Sequence, residues 1–202
     1  MKLKILISFL IVTVLFSGCI DQEEEGGEGM VDLTGKSILM IIAPNNFRDE
    51  ELLRPKEVFE NSNAQVTIAS KGVTTASGML GATVDVDKDI SDINVADYDA
   101  IIFVGGIGAS QYFDDSTAQS IAKDAYNQGK LVGAICIAPS ILANAGILEG
   151  KRATAFSSEA DNLRNKGAEY TGDSVTQDGK IITGKGPEAA AEFGTTIVDN
   201  LK

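Results

Sequence analysis

The sequence predicts an α/β fold in which helices cover both faces of a mainly parallel sheet. Segments at residues 37–43, 98–106 and 130–136 have the apolar character of strands that are buried on both faces. Segments of helical length and pattern follow them along the chain, and this alternation is typical of βαβ units. The length of 202 residues fits one such domain, and the sequence has no internal repeat.

Helices are predicted between and after these strands. The first covers residues 49–62, with apolar side chains at helical spacing and with Pro55 in an early turn, where proline costs little. We predict that Asp49 and Glu50, at its start, are solvated charges. The other helices are predicted at residues 116–129, 138–148 and 187–201.

Shorter segments predict further strands. Residues 65–70 follow the first helix as a second strand of the sheet, and residues 81–90 alternate in the way of an edge strand or ribbon. Three short strands are predicted towards the C-terminus, at residues 152–156, 174–179 and 180–184.

The N-terminus has the pattern of a lipoprotein signal peptide. Lys2 and Lys4 precede an apolar stretch at residues 5–16, which is short for a membrane span of about 20 residues. Small residues then stand directly before Cys19. We expect cleavage of residues 1–18 and a lipid on the Cys19 thiol; an uncleaved anchor is the alternative. Either form would hold the protein outside the cytoplasm, at the cell membrane.

Acidic residues outnumber basic ones, and this limits the partners. The chain has 29 Asp and Glu against 17 Lys and Arg, for a formal net charge of −12. We therefore do not expect nucleic acid or bare anionic lipid surfaces as partners. Residues 19–33 are acidic and glycine-rich and are predicted to be a solvated tether. The single folded domain is predicted at residues 34–202.

Several chemistries are excluded by composition and spacing. The chain has no histidine, so it lacks a Ser-His-Asp or Cys-His pair and a histidine metal ligand. A calcium loop from Asp85 fails because Ile90 and Ala96 stand where glycine and glutamate are needed. Residues 179–185 resemble a phosphate-binding loop, but Gly186 replaces its Ser or Thr and the segment is itself a strand. We therefore predict no metal and no cofactor.

One group of residues does point to chemistry. Cys136 ends a predicted strand and opens a helix, Gly105 and Gly106 end another strand, and Glu51 follows the first strand. Ligands of parallel sheets bind beyond the carboxyl ends of the strands, so we expect these residues to meet there. If Cys19 carries a lipid, Cys136 has no disulfide partner, and such a thiol in an exported protein is a candidate for reactivity.

Each residue of this group has a chemical role and a plain structural alternative. A sharp turn from strand to helix exposes a nucleophile, and the helix N-terminus is expected to lower the pKa of the Cys136 thiol. The backbone N–H groups of Gly106 and Ile137 could hold an oxyanion or a sulfinate, and a protonated Glu51 could donate to the sulfur. Alternatively, Cys136 is an inert buried thiol, Glu51 is an ordinary first-turn glutamate, and Gly105 serves only the turn.

These features, taken in order, resemble the ThiJ/PfpI superfamily from about Ser37 to Leu201. The stretches that carry the resemblance are Glu51 to Pro55, VGG at 104–106, AICIAPSILANAGIL at 134–148 and GPEAAAEF at 186–193. The resemblance implies a flavodoxin-like three-layer sandwich, a nucleophile elbow at the cysteine and a homodimer. It also implies that Cys136 is paired with a protonated Glu51, and that Gly106 and Ile137 supply backbone donors.

The chain departs from this superfamily at its histidines. PfpI-type peptidases carry a histidine directly after the cysteine, where this chain has Ile137, and the deglycase branch carries one where this chain has Phe156. We therefore expect a reactive Cys–Glu site for small electrophiles such as 2-oxoaldehydes, rather than a peptidase. The alternatives are a non-catalytic redox sensor or protective module that an oxidant modifies at Cys136, and a binding domain that kept only the fold.

Overall fold

The computed structural model describes residues 31–202, so the predictions for the signal peptide, Cys19 and most of the tether lie outside the described residues. In chain order the elements are β1 (Ser37–Ile41), β2 (Asn45–Phe47), α1 (Asp49–Asn61), β3 (Gln65–Ser70), β4 (Thr75–Gly78), β5 (Thr83–Asp85), β6 (Lys88–Asp89), β7 (Ala100–Phe103), α2 (Ser116–Asn127), β8 (Leu131–Ile135), α3 (Pro139–Asn144), β9 (Arg152–Ala153), α4 (Ala160–Asn165), β10 (Glu169–Tyr170), β11 (Val175–Asp178), β12 (Ile181–Gly184) and α5 (Ala190–Leu201). Short 3₁₀ turns connect them, among them Ile107–Tyr112 and Ser157–Glu159.

The main sheet confirms the predicted fold class. It has seven strands in the order β11-β12-β8-β7-β1-β3-β6, and every neighbouring pair is parallel except β11 and β12. Strand β1 lies inside the sheet and pairs with β3 on one side and β7 on the other. The carboxyl ends of β1, β7 and β8 therefore lie next to one another at one edge of the sheet, which is where the candidate residues follow.

Both faces of the sheet are buried, as continuous apolar strands require. Ile38 and Met40 belong to a core layer that includes Phe59 of α1 and Phe193 of α5. Leu39 and Ile41, the alternate residues of β1, belong to the opposite core layer, together with side chains of α2, α3 and α4. Successive side chains of a strand point to opposite faces, so a strand between two helical layers must be apolar at every position.

Several boundaries differ from the sequence prediction. The helix predicted at 138–148 ends at Asn144, and residues 81–90 form β5 and β6, which belong to two different sheets. The sequence pattern does not predict strands β2, β4 and β10 or helix α4, because segments this short take their structure from tertiary partners. At the other end, Leu33 is buried and its N–H donates to the Ser62 carbonyl at 2.7 Å, so the packed domain includes Leu33.

No helix within residues 31–202 combines the length and the apolar character needed to cross a bilayer.

Asp49 corrects the prediction of a solvated charge at the start of α1. Its side chain is only 6% exposed, and its two oxygens accept hydrogen bonds from the N–H groups of Leu80 at 2.8 Å and Ala82 at 2.7 Å. Gly78 packs so closely on this carboxylate that a Cβ there would clash with it. The Asp49 carboxylate therefore fastens the β4–β5 hairpin to the first turn of α1, where Glu51 also lies.

Replacing Asp49 by alanine should lower the free energy of unfolding by about 1–3 kcal/mol, because the N–H groups of Leu80 and Ala82 would lose their hydrogen bonds to a buried carboxylate. Urea denaturation measures this change. Glu57→Ala, at an exposed position of the same helix, is the control and should change the stability by less than about 0.5 kcal/mol. We call these two hydrogen bonds to Asp49 the Asp49 clamp. Equal stability of Asp49→Ala and the wild type would show that the clamp does not stabilise the fold.

Candidate active site

Cys136 occupies a strained turn directly after β8. Its φ of 64° lies in the left-handed region, which a residue other than glycine rarely adopts. Hydrogen bonds hold the turn on both sides: the Cys136 N–H donates to the Gly184 carbonyl at 2.9 Å, and its own carbonyl accepts from the Phe156 N–H at 2.7 Å. This is the sharp strand-to-helix turn that the sequence predicts, and it presents the side chain beyond the sheet edge.

Glu51 is completely buried beside this turn. Within the described chain, neither of its carboxyl oxygens has a partner that meets full hydrogen-bond geometry, and the polar groups that act on it are the Cys136 thiol and the Gly105 N–H. Both the Glu51 carboxyl and the Cys136 Cβ lie within 3.0 Å of the point where a side chain on Gly105 would begin. A residue with a Cβ at position 105 would therefore separate the two groups, and glycine allows them to converge.

The environment favours the protonated form of Glu51. Burial is the main cause and raises the pKa of Glu51 to about 7, against the opposing effects of the Cys136 thiol, Arg48 and the Gly105 N–H. Near neutral pH the carboxyl is therefore present in both protonation states. It can donate to the sulfur in one state and accept a proton in the other.

The thiol behaves differently from the sequence expectation. Burial, followed by the Glu51 carboxylate, raises the pKa of Cys136 to about 12, although the N–H groups of Gly106 and Ile137 act to lower it. The expected lowering by a helix N-terminus was wrong because α3 has only six residues and begins at Pro139, beyond the elbow. At neutral pH the Cys136 side chain is therefore a thiol, and it needs a base to become a thiolate.

The predicted backbone donors lie at the sulfur. The N–H groups of Gly106 and Ile137 have no carbonyl acceptor within residues 31–202, and both act on the Cys136 sulfur. Gly106 has a φ of 92°, and the backbone of Asn46–Arg48 leaves no room for a side chain at this position. These two amides are thus available to an oxyanion that forms next to the sulfur.

A cavity of about 440 Å³ opens above the thiol. Cys136 is 9% exposed on its wall, and Met79, Ile107 and Phe156 are exposed apolar side chains that also line it. Arg48 lines the cavity but is paired with Glu50 at 2.8 Å. The cavity is therefore mainly apolar, with the reactive polar groups gathered at the sulfur.

Two further residues line this cavity. Phe156 lies on its wall, at the stretch where the resemblance implies the deglycase histidine, and Glu159, which was not predicted, is a second carboxylate besides Glu51. The sequence gives no periodic or spacing signal for Glu159, because it stands in a 3₁₀ turn before a short helix. Its position depends on how the segment after β9 packs on the elbow. No cluster of three or more possible metal ligands occurs within residues 31–202.

Comparison with known proteins places this geometry in a family. A family model described as the DJ-1/PfpI family matches residues 36–200. An uncharacterized protein of Methanocaldococcus jannaschii is 42% identical over 98% of this chain and 97% of its own. A deglycase of Pyrococcus horikoshii is 31% identical over 81% of this chain and 99% of its own.

Further relatives agree in sequence and in fold. A glutathione-independent glyoxalase of Caenorhabditis elegans is 29% identical over 83% of this chain and 89% of its own. The crystal structure of a ThiJ/PfpI domain protein from Brachyspira murdochii superposes with a TM-score of 0.81 at 33% identity, covering 83% of this chain and 98% of that one. By its sequence and by its fold, this chain belongs to the DJ-1/PfpI family.

Proposed function

We propose that this protein is a cysteine-dependent enzyme that acts on small electrophiles, with 2-oxoaldehydes as the main substrate class. The observation that carries the proposal is the buried, unpartnered Glu51 carboxyl converging with the Cys136 thiol beside Gly105. Unpartnered buried polar groups are rare in folded proteins and mark sites of chemistry. Relatives named as a deglycase and as a glyoxalase support the same class of reaction.

In the first step, the aldehyde carbon of the substrate meets the sulfur. The Cys136 thiol gives its proton to the Glu51 carboxylate while sulfur forms a bond to that carbon, and the carbonyl electron pair moves to oxygen. The N–H groups of Gly106 and Ile137 then hold the resulting oxyanion. Burial raises the pKa of the Cys136 thiol to about 12, so a free thiolate is unfavourable. Because proton transfer and bond formation occur together, no such thiolate has to accumulate.

The second step is an internal redox reaction. Glu51 first returns the thiol proton to the oxyanion, which becomes a hydroxyl group. The Glu51 carboxylate then takes the proton of the former aldehyde carbon and passes it to the neighbouring carbonyl carbon, while the hydroxyl proton moves to the oxygen of that carbonyl. The first carbon is thereby oxidised to a thioester and the second is reduced to an alcohol, so no external oxidant is needed. Water then cleaves the thioester to a 2-hydroxy acid and regenerates the Cys136 thiol.

A redox module is the second candidate, favoured by the absence of histidine from the chain. Two molecules of peroxide would convert the Cys136 thiol to a sulfinate and release two molecules of water. The N–H groups of Gly106 and Ile137 would hold the sulfinate oxygens. The raised pKa of Cys136 works against this candidate, because the thiolate is the form that peroxide oxidises.

We also propose that the protein acts at the cell surface, tethered by a lipid on Cys19. The support is the sequence pattern of residues 1–19, with a basic start, an apolar stretch and small residues before the cysteine.

The enzyme proposal predicts that Cys136→Ser abolishes consumption of glyoxal and methylglyoxal. Glu51→Gln should lower the rate by about 10²-fold or more, because it removes the proton carrier but keeps the side-chain shape. A colorimetric assay of the remaining aldehyde measures both. Glu57→Gln, on the exposed face of the same helix, is the control and should keep the wild-type rate.

Equal aldehyde consumption by wild type and Cys136→Ser would contradict the enzyme proposal. Mass spectrometry after mild peroxide treatment then tests the redox candidate, which expects the addition of two oxygen atoms at Cys136.

Glu51 should also make the stability of the fold depend on pH. Its pKa rises from an ordinary value of 4.5 to about 7 on folding, so its stabilising effect is complete below pH 4.5 and is lost as the pH rises through about 7. The loss amounts to about 3 kcal/mol. Urea denaturation across this pH range should show the loss in wild type and in Glu57→Gln, and should not show it in Glu51→Gln. The same pH slope in all three proteins would mean that Glu51 ionises as freely as an exposed glutamate.

The lipid anchor predicts that the protein isolated from its own cells begins at Cys19 and carries a lipid mass there. The Cys19→Ser variant should lack that lipid mass and should no longer be found in the detergent-soluble membrane fraction. Intact-protein mass spectrometry and fractionation measure both changes. A wild-type protein without a lipid at Cys19 would refute the anchor.

A further inference from the structure

The proposed reaction needs a base for its last step, and Glu51 is poorly placed to be that base. Water must lose a proton as it attacks the thioester, and enzymes most often use histidine for such a transfer. This chain contains no histidine. Glu51 is fully buried next to the sulfur, so the acyl group on Cys136 would lie between it and incoming water. A second carboxylate, at Glu159, lines the same cavity.

We propose that Glu159 is the general base that activates the hydrolytic water, an inference that rests on the proposed function of the Cys136–Glu51 site. Glu159 ends the 3₁₀ turn Ser157–Glu159 and is only partly buried, so it borders both the cavity and the solvent. A carboxylate in that position meets water that enters the cavity.

Two hydroxyl groups hold the Glu159 carboxylate in place. Its Oε2 accepts from the Ser140 Oγ at 2.6 Å, and its Oε1 accepts from the Ser158 Oγ at 2.7 Å. Each carboxylate oxygen can accept more than one hydrogen bond, so both oxygens keep a position for water. A carboxylate that is already oriented loses little freedom when it binds that water.

Ser140 connects this carboxylate to the elbow. Its side chain is completely buried near the start of α3, and its N–H donates to the carbonyl of Ile137 at 3.1 Å. The Asn162 Nδ2 donates to the Ser140 Oγ at 3.0 Å, which leaves the Ser140 hydroxyl hydrogen for Glu159.

A second contact joins the same two segments. The Phe156 N–H donates to the Cys136 carbonyl at 2.7 Å. The segment that carries Glu159 is thus fixed to the elbow at Cys136 and again at Ser140. These two contacts keep Glu159 next to the elbow, which suits a residue that acts on an acyl group bound to the Cys136 sulfur.

The step balances without a further reactant. The water oxygen forms a bond to the thioester carbon while one of its protons passes to Glu159. The carbon–sulfur bond breaks, and sulfur leaves with the electron pair as a thiolate. The proton held by Glu51 or Glu159 restores the Cys136 thiol, and the product leaves as the 2-hydroxy acid.

The test separates formation of the acyl group from its hydrolysis. Glu159→Gln keeps an oxygen acceptor for the Ser140 hydroxyl but cannot take a proton. After mixing with methylglyoxal, we expect adduct formation on Cys136 within about twofold of the wild-type rate and product release slower by about 10²-fold. Intact-protein mass spectrometry should then show an acyl adduct that accumulates in Glu159→Gln and not in wild type.

Glu192→Gln is the matched control. Glu192 accepts from the Ser174 Oγ at 2.8 Å in the same kind of contact, on exposed side chains of α5 and the loop before β11. It should leave both steps unchanged. Thermal unfolding of each variant checks that the fold is kept, and Glu159→Asp, which retains a carboxylate, should recover part of the hydrolysis rate.

The outcomes distinguish this inference from the proposed function. Wild-type product release in Glu159→Gln would overturn the role of Glu159 and leave the Cys136–Glu51 reaction standing. So would loss of activity in Glu159→Ala with full activity in Glu159→Gln, because only the hydrogen bond to Ser140 would then matter. Absence of both adduct and product in the wild type would overturn the proposed function, and this inference with it.

Discussion

The convergence of the Glu51 carboxyl and the Cys136 thiol beside Gly105 is the constraint on which the rest of the site depends. Burying an ionisable group without a hydrogen-bond partner is unfavourable, and the fold accepts it by favouring the protonated carboxyl, with a pKa of about 7. The elements that hold α1 against the sheet therefore also hold the Glu51 carboxyl next to Cys136. The Asp49 clamp belongs to this scaffold, because it anchors the turn of α1 from which Glu51 projects.

A second unfavourable feature lies at the same point. Cys136 has a left-handed φ of 64°, a conformation that costs a residue with a side chain about 1–3 kcal/mol. Hydrogen bonds to Gly184 and Phe156 over-determine this turn and keep it. Strain and an unpartnered carboxyl within one small region are difficult to explain by packing, because an apolar side chain at position 51 would remove one of them. Their coincidence supports a chemical role for the site.

Local pattern was sufficient for the main sheet and for the residues at its carboxyl edge. Apolar runs identified β1, β7 and β8, and the topology of a parallel sheet brings Glu51, Gly106 and Cys136 to one edge. Properties that depend on tertiary burial could not be predicted from local sequence pattern. The acceptors of the Leu80 and Ala82 N–H groups, the direction of the thiol pKa and the position of Glu159 all arise from segments that are distant in sequence.

The two pKa values also constrain which substrates the site can use. Burial raises the pKa of Cys136 to about 12 and that of Glu51 to about 7, so the thiol keeps its proton at neutral pH; in the proposed reaction, a thiolate forms only as the bond to substrate forms. Such a nucleophile favours carbonyl carbons that are strongly electrophilic, which 2-oxoaldehydes provide. It also leaves the resting thiol poorly reactive towards weak oxidants, since oxidation follows thiolate character. In the proposed reaction, a chain without histidine would work through two carboxylates: Glu51, buried beside the sulfur, and Glu159, between the cavity and the solvent.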